Sequence, residues 1–338
     1  MKAIALTEYL PISNPASLQD VELAPPVALG HDLLVKVEAI SVNPVDTKVR
    51  SQPGPAESAP RVLGWDVAGV VSAVGPDVTL FKVGDPVYYA GSITRAGANS
   101  QLHLVDERIA GHMPSSLDFA QAAALPLTSI TAWEALFERL AISSEGKDAG
   151  KSVLIIGGAG GVGSIAIQLA KQLGRLTVVA TASRPESAQW CRQLGADHII
   201  DHTGDLPAQL KALGVAAVDF ILCLNETDRH FDAMAEAIAP QGKICSIVGN
   251  TAPLPLEKLF GKSATFVWEL MFTRSMFGTA DMIEQHHLLD RVAAMVDRGA
   301  IRTTVGENFG RINAANLRRA HEALEARHTI GKIVLSGF

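Results

Sequence analysis

The chain of 338 residues reads as an α/β protein in two parts, a small barrel-like β domain and a doubly wound parallel sheet. Three observations predict this. The first third is made of short strands punctuated by Gly-Pro and Gly-Asp turns. Near Ala120 the pattern changes to a regular alternation of apolar strands and helices. A glycine-rich loop stands where the first of those strands passes into a helix.

The segments follow in order. "LLVKVEAISVN" alternates, with Val35, Val37 and Ala39 on one face and Lys36 and Glu38 on the other. "VGPD" and "KVGDPVYY" carry turns, and residues 51–60, "SQPGPAESAP", form a Pro-rich loop. "DFAQAAALPLTSITAWEALFERL" is rich in Ala and Leu and helical in character. "KSVLIIGG" reads as a buried strand and "GSIAIQLAKQLG" as an amphipathic helix ending at Gly174. "LTVVATAS" is a strand, and "RPESAQWCRQLG" is a helix with Pro185 near its start. "ADHIID", "VDFILCL" and "KICSIVG" are further strands. After "SATFVWELMF" comes the helix "DMIEQHHLLDRVAAMVDRG". The tail, "INAANLRRAHEALEARHTIGKIVL", gives a capped helix and a last strand that returns to the first domain.

Composition narrows the function classes. Hydrophobic residues make up 48% and charged residues 19%, which supports a sizeable core. The net charge of -6 points away from nucleic acid and from anionic membrane surfaces. No apolar run approaches the roughly 18 residues of a membrane span. The opening "MKAIALTEYLPIS" lacks the apolar core of a secretory signal. Cys191, Cys223 and Cys245 are scattered without pair spacing, as expected of a cytoplasmic protein with no disulfide framework.

"VLIIGGAGGVGSIAIQLA" contains Gly158, Gly160, Gly161, Val162 and Gly163 in a G-x-G-x-x-G arrangement, after a strand and before a helix. That context predicts a dinucleotide site. Glycines let the backbone approach a pyrophosphate, and the helix N-terminus offers free N–H groups to it. An NAD site usually has an acid at the end of the second strand, but that strand here runs out as "ATASR". Ser183 and Arg184 stand there instead, able to bond a 2′-phosphate, so NADPH is expected. The bland alternative for Arg184 is a solvated residue at a helix start. His202, in "IIDH", reads equally as a cofactor neighbour or a surface histidine.

The order of "VNPVD", "GWDVAGVV", "VGDPVYY", "AAALPLTSITAWEAL" and "GGAGGVG" resembles the medium-chain dehydrogenase/reductase superfamily over essentially the whole chain. Within it the chain is most similar to the quinone oxidoreductase branch and to the bacterial group called zinc-type alcohol dehydrogenase-like. The resemblance implies a GroES-like β-barrel domain from residues 1–122 and 275–338. It implies a Rossmann domain at 123–274. It also implies a homodimer or homotetramer, often joined through the last Rossmann strand near "SATFVWELMF".

The same resemblance bears on metal. In the zinc-dependent branch a cysteine stands at the position of Asn43, a histidine at Trp65 and usually a cysteine near Leu127; Asp66 takes the place of a glutamate. Trp and Leu cannot ligate zinc and Asn does so poorly. The four-cysteine structural lobe has no counterpart. Asp46, Asp66, His103 and His112 show no ligand spacing, and His286 and His287 are adjacent on a helix and face apart. A metal-free site is expected, with Trp65 as packing and Asp66 bonded to a neighbouring loop.

Without a Lewis acid, reduction of an electron-poor acceptor is favoured over alcohol oxidation. The expected function is hydride transfer from NADPH to a quinone or an activated alkene or carbonyl, with a small-molecule substrate. The resemblance sets Asn43, Asp46 and Lys48 at the mouth of the nicotinamide site. Lys48 stands where many quinone oxidoreductases have tyrosine, and either stabilises an enolate or points to solvent. Asp46 either takes part in catalysis or holds its loop. Thr131, Gly249, Asn250 and Lys332 are further cofactor candidates, and Tyr88 and Tyr89 read as packing. Two other readings remain open: a zinc alcohol dehydrogenase with unusual ligands, and a non-catalytic NADPH-binding sensor.

Overall fold

A computed structural model describes all residues, 1–338. From the N-terminus come β1 (Lys2–Leu6), β2 (Gln19–Glu22), β3 (Asp32–Val42), α1 (Pro44–Ser51), β4 (Arg61–Val62), β5 (Val67–Val74), β6 (Pro86–Tyr89), β7 (Leu102–Asp106) and β8 (Ala110–His112). Then follow α2 (Phe119–Ala123) and α3 (Pro126–Trp133). The alternating segment is β9 (Ser152–Ile156), α4 (Gly161–Leu169), β10 (Thr177–Thr181), α5 (Pro185–Gln193), β11 (His198–Ile200), α6 (Leu206–Ala212), β12 (Val218–Cys223), α7 (Thr227–Ala237), β13 (Ile238–Ser246), α8 (Glu257–Phe260) and β14 (Thr265–Trp268). The chain ends with α9 (Thr273–Phe277), α10 (Glu284–Asp297), β15 (Val305–Asn308), α11 (Ala314–Glu325) and β16 (Lys332–Ser336).

These elements form two compact units, Met1–Ile130 with Phe272–Phe338, and Thr131–Met271. In the first, a seven-stranded sheet has the order β15-β16-β3-β5-β6-β8, with β7 also on β3, and a separate sheet has the order β2-β1-β4. The long strand β3 organises it. Its first half pairs with β7 and its second half with β16, while β5 lies along the other edge. The expected alternation holds there, with Val35, Val37 and Ala39 buried and Lys36 exposed. The last strand does return to the first domain, through Ile333↔Val42 and Val334↔Ser41.

The second unit is a six-stranded sheet, β11-β10-β9-β12-β13-β14, parallel throughout. In chain order that is 3-2-1-4-5-6, the Rossmann arrangement, whose reversal falls between β9 and β12. Leu154, Ile156, Val179, Ile221, Phe231 and Met234 lie in its core. The segment from residue 118 to 140 is helical as read, but divided: Pro126, which lacks an N–H, starts a new helix, and α3 runs on into a π-helical stretch at Glu134–Arg139. One helix differs from the sequence reading. The helix read as amphipathic is buried from Gly163 to Leu169. Its polar residues turn inward, Ser164 Oγ donating to Gly160 O (2.8 Å) and Gln168 Nε2 to Ser164 O (3.1 Å).

Candidate functional site

In the Rossmann unit the five residues of the glycine motif follow β9 and open α4, whose N-cap is Gly160. No side chain caps that helix, so its first N–H groups are left to a ligand or water. The loop is held from behind: Gly157 N donates to Thr181 Oγ1 (2.9 Å) and Gly158 N to Thr181 O (3.2 Å). A Cβ at Gly163 would lie 2.4 Å from Gly157 O, so only glycine lets the helix pack this close to its own loop. At Gly160 a Cβ would meet nothing nearer than Gly157 O at 3.6 Å. Glycine here leaves room for something other than protein, and a dinucleotide pyrophosphate fits that cradle.

Because the sheet is parallel, every residue just past a strand lies at the same edge. That edge carries the glycine loop after β9, exposed Ser183 and half-buried Arg184 after β10, and His202 after β11. Gly249 and Asn250, past β13, are exposed, and the Asn250 amide donates to Ala252 O (2.8 Å). No carboxylate stands in the turn between β10 and α5. Arg184 N donates to Ser187 Oγ (3.3 Å), which sets the start of α5. Thr131 is buried within α3. The sequence reading missed Asn225, whose Oδ1 would lie 3.7 Å from a Cβ at Gly157 and has no hydrogen-bond partner. Its position just past the fourth strand, beside the reversal point, is the signal that could have found it.

The first unit holds the second cluster. Three neighbouring strands bring it together. Ile333 pairs with Val42, so Lys332 lies beside Asn43; Ile40 pairs with Val67, so Ser41 lies beside Asp66. The Asp66 carboxylate is fully engaged. Its Oδ2 accepts from Ser41 Oγ (2.9 Å), Asn43 Nδ2 (2.9 Å) and Lys332 Nζ (2.8 Å), and its Oδ1 from Leu127 N (2.8 Å). Lys332 Nζ also donates to Val42 O (3.0 Å) and to Asn43 Oδ1. The sequence reading sets Lys332 against the cofactor, but its ammonium already has an acceptor for each of its three N–H groups inside this unit. Asn43 is likewise buried, with both ends of its amide engaged, so it fixes the loop and offers no free group to a bound molecule.

Asp46 closes the turn before α1: its Oδ2 accepts from Asn43 N (2.6 Å), while its buried Oδ1 has no partner. Burial pushes this carboxyl up to about 7, with Asp66 adding to the rise and the Asn43 N–H and Lys332 opposing it. Lys48 is exposed on the same helix. Trp65 is buried, its indole donating to Ser92 O (3.2 Å) and meeting Phe272 edge-on at 6.2 Å. Gly64 before it has φ +107, and a Cβ there would lie 2.3 Å from Asn99 Oδ1.

The remaining candidate ligands are accounted for elsewhere. His103 stacks on Tyr89, accepts from its hydroxyl (3.0 Å) and donates to Ala96 O (3.0 Å); burial drops its pKa to about 4. His112 pairs with Asp290 (3.1 Å), and His286 bonds Ala110 O (2.7 Å). Tyr88 donates to Leu289 O (2.6 Å). Cys191, Cys223 and Cys245 are all buried and unbridged. No group of three or more His, Cys, Asp or Glu side chains is placed to hold a metal ion.

Comparison with known proteins gives two family matches, the alcohol dehydrogenase GroES-like domain over residues 29–126 and the zinc-binding dehydrogenase model over residues 194–335. A zinc-type alcohol dehydrogenase-like protein of Staphylococcus aureus is 43% identical over 337 residues, covering 99% of this chain and all of its own. A solved structure from Rhizobium etli, provisionally described as a zinc-dependent alcohol dehydrogenase, superposes with a TM-score of 0.96 at 52% identity, over 100% of this chain and 98% of that one. The Escherichia coli quinone oxidoreductase solved with NADPH superposes with a TM-score of 0.83 at 27% identity, over 99% of this chain and 100% of its own.

Proposed function

The chain belongs to the medium-chain dehydrogenase/reductase superfamily and is an oxidoreductase of that type, and on this premise we propose that it transfers hydride from NADPH to a quinone or an activated alkene or carbonyl without a metal ion. The observation that carries the cofactor half is the edge of the Rossmann sheet. An open glycine cradle follows β9, and Ser183 and Arg184, with no acid, follow β10. A 2′-phosphate is matched there by a hydroxyl and a guanidinium, and nothing in that turn repels it. Thr131, His202, Gly249, Asn250 and Asn225 complete the proposed cofactor contacts. The Escherichia coli quinone oxidoreductase, solved with NADPH, supports this choice.

Bound NADPH would supply the hydride, and the protein supplies position and field. As hydride reaches a conjugated carbon, negative charge gathers on the acceptor's oxygen, which then needs a donor. Lys48, the exposed cation of α1, is assigned that role. Asn43 and Asp46 hold the start of α1 so that Lys48 is presented in one place. Burial holds the Asp46 carboxyl up to about 7, so its protonation bears on how this turn is held near neutral pH. No helix is long and apolar enough to cross a membrane. The reading takes a small-molecule substrate and, as the scattered unpaired cysteines suggest, a cytoplasmic location. The edge strand β14 leaves Trp268 43% exposed and nearby Leu270 51% exposed, which suits pairing with a second copy in a homodimer or homotetramer.

The test is a panel of quinones and enones with NADPH or NADH, followed by loss of reduced-nicotinamide absorbance. Turnover with NADPH well above that with NADH supports the reading. Tight NADPH binding with no oxidation across the panel would leave a sensor instead.

A further inference from the structure

We propose that Glu134 and Glu269 form a proton-sharing acid pair, clamped by Arg139, whose members are positioning residues for the cofactor contact at Thr131. The inference rests on the proposed NADPH site and names what holds one part of it in place. All four residues belong to the second unit, Thr131–Met271. Thr131 lies on α3, one turn before Glu134, which begins the π-helical stretch, and Glu269 directly follows β14. The pair therefore ties the segment by which the chain enters this unit to the segment by which it leaves.

The winding of the helix brings the cluster together. Glu134 and Arg139 begin and end the π-helical stretch. Regular α-helical winding, about 100° per residue, would set them about 140° apart around the axis. Here Leu140 N donates to Ala135 O (2.9 Å), the longer step of a π-helix, and the wider turn carries Arg139 back toward the side of Glu134. Arg139 Nε donates to Glu269 Oε2 (2.8 Å). Both acids are buried. Glu269 Oε1 meets no N–H or hydroxyl donor; the group beside it is the Glu134 carboxyl, which shares a side-chain hydrogen bond with Glu269. Two carboxylates can only accept, so that bond needs a proton on one of them. The negative charge that remains is matched by the Arg139 guanidinium. Burial first, and then the Glu134 charge, push the Glu269 carboxyl up to about 9, with Arg139 opposing. The Cys245 thiol on β13 also bears on this carboxyl, and burial, then Glu269, push it up so that it stays neutral. Loss of the shared proton leaves two buried carboxylates on one cation, and their repulsion frees the end of α3 from β14.

The experiment uses the full-length protein, with NADPH titration by tryptophan fluorescence and urea unfolding across pH. Glu269→Ala should weaken NADPH at pH 7.5 by about 5- to 10-fold, and Glu269→Gln should recover most of that loss, because its amide donates to Glu134 and accepts from Arg139 as the protonated acid does. The wild-type dissociation constant should rise about fivefold or more from pH 7.5 to pH 10, and that of Glu269→Gln should stay level. Thr131→Ala should bind more weakly at pH 7.5 and show no further alkaline rise, since the contact being positioned is already gone. An alkaline rise of wild-type size in Glu269→Gln or in Thr131→Ala overturns the proposal. Unfolding reads the same proton without cofactor. The folded value of about 9 lies above the ordinary 4.5, so stability from Glu269 is complete below about 4.5, falls as pH rises to about 9 and is level above. The fall due to Asp46 ends near 7, so a fall between about 7 and 9 that Glu269→Gln abolishes supports the pair, and one that survives overturns it. A wild type that binds no NADPH at any pH sinks the cofactor reading and the role for Thr131 with it; wild-type binding whose alkaline rise Glu269→Gln shares sinks the acid pair alone. Where Glu269→Gln does not fold, the mirror substitution Glu134→Gln is read in the same way, and failure of both to fold overturns the pair.

Discussion

Changing Gly160 to alanine separates the part of the glycine loop that serves the fold from the part that serves a ligand. The new methyl would stand 3.6 Å from Gly157 O, an ordinary contact, and the backbone there is extended with φ -73 and ψ 174, which alanine tolerates. The remaining cost is that of alanine at an N-cap, about 0.5–1 kcal/mol. A pyrophosphate drawn onto the N-terminus of α4 would, however, meet that methyl. Losing one close backbone contact of this kind should weaken NADPH by about 10- to 100-fold, or 1.4–2.7 kcal/mol. Gly163→Ala is the control, because its methyl would sit 2.4 Å from Gly157 O and 2.6 Å from Gly158 O. That clash lies inside the protein and should destabilise it by about 1–3 kcal/mol. The assay is paired, thermal unfolding without ligand and NADPH titration by tryptophan fluorescence. If Gly160→Ala binds NADPH as wild type does, the loop does not cradle the cofactor as argued. If it unfolds as readily as Gly163→Ala, the distinction between the two glycines fails.

Removing the guanidinium with Arg184→Ala should reduce the preference for NADPH over NADH by about 10- to 100-fold, the worth of one or two charge-assisted bonds; an unchanged ratio of kcat/KM values removes Arg184 from the site. Lys48→Met should lower kcat by about 10²-fold while Lys48→Arg retains most of it, and equal activity in both refutes the donor role. Asp46 gives a pH test. Its folded-state pKa, about 7, lies above the unfolded value of 3.8, so the native state holds this proton more tightly. Stability from this group is therefore lost as pH rises from about 4 to about 7 and is level above, at most on the order of 4 kcal/mol. Asp46→Asn should flatten that slope in urea unfolding followed across pH, and a slope that survives the substitution places its origin elsewhere. Trp65→Ala, emptying a fully buried site, should cost about 3–5 kcal/mol by the same unfolding measurement, and a loss below about 1 kcal/mol would show that the indole is not packing.

Local pattern determined much of this protein from the sequence alone. The two-residue period of β3, the strand–loop–helix context of the glycines and the missing acid after β10 are short-range signals, and each survives in the structure because neighbouring residues decide it. That the side chains of Trp65 and Leu127 offer zinc no ligand atom is likewise plain from residue type. Where sequence and structure part, a distant piece of the chain intervenes. The helix α4 has an amphipathic pattern, but packing buries its polar residues as well, and they bond to their own backbone. Lys332 stands in a strand near the C-terminus, and its sequence neighbours say nothing of where its ammonium goes. Its partners Val42, Asn43 and Asp66 lie 266 to 290 positions away, and only the pairing of β16 with β3, and of β3 with β5, brings them within hydrogen-bond reach. A buried charge has no stable place without a partner, and that partner is chosen by strand register, which no single stretch of sequence encodes.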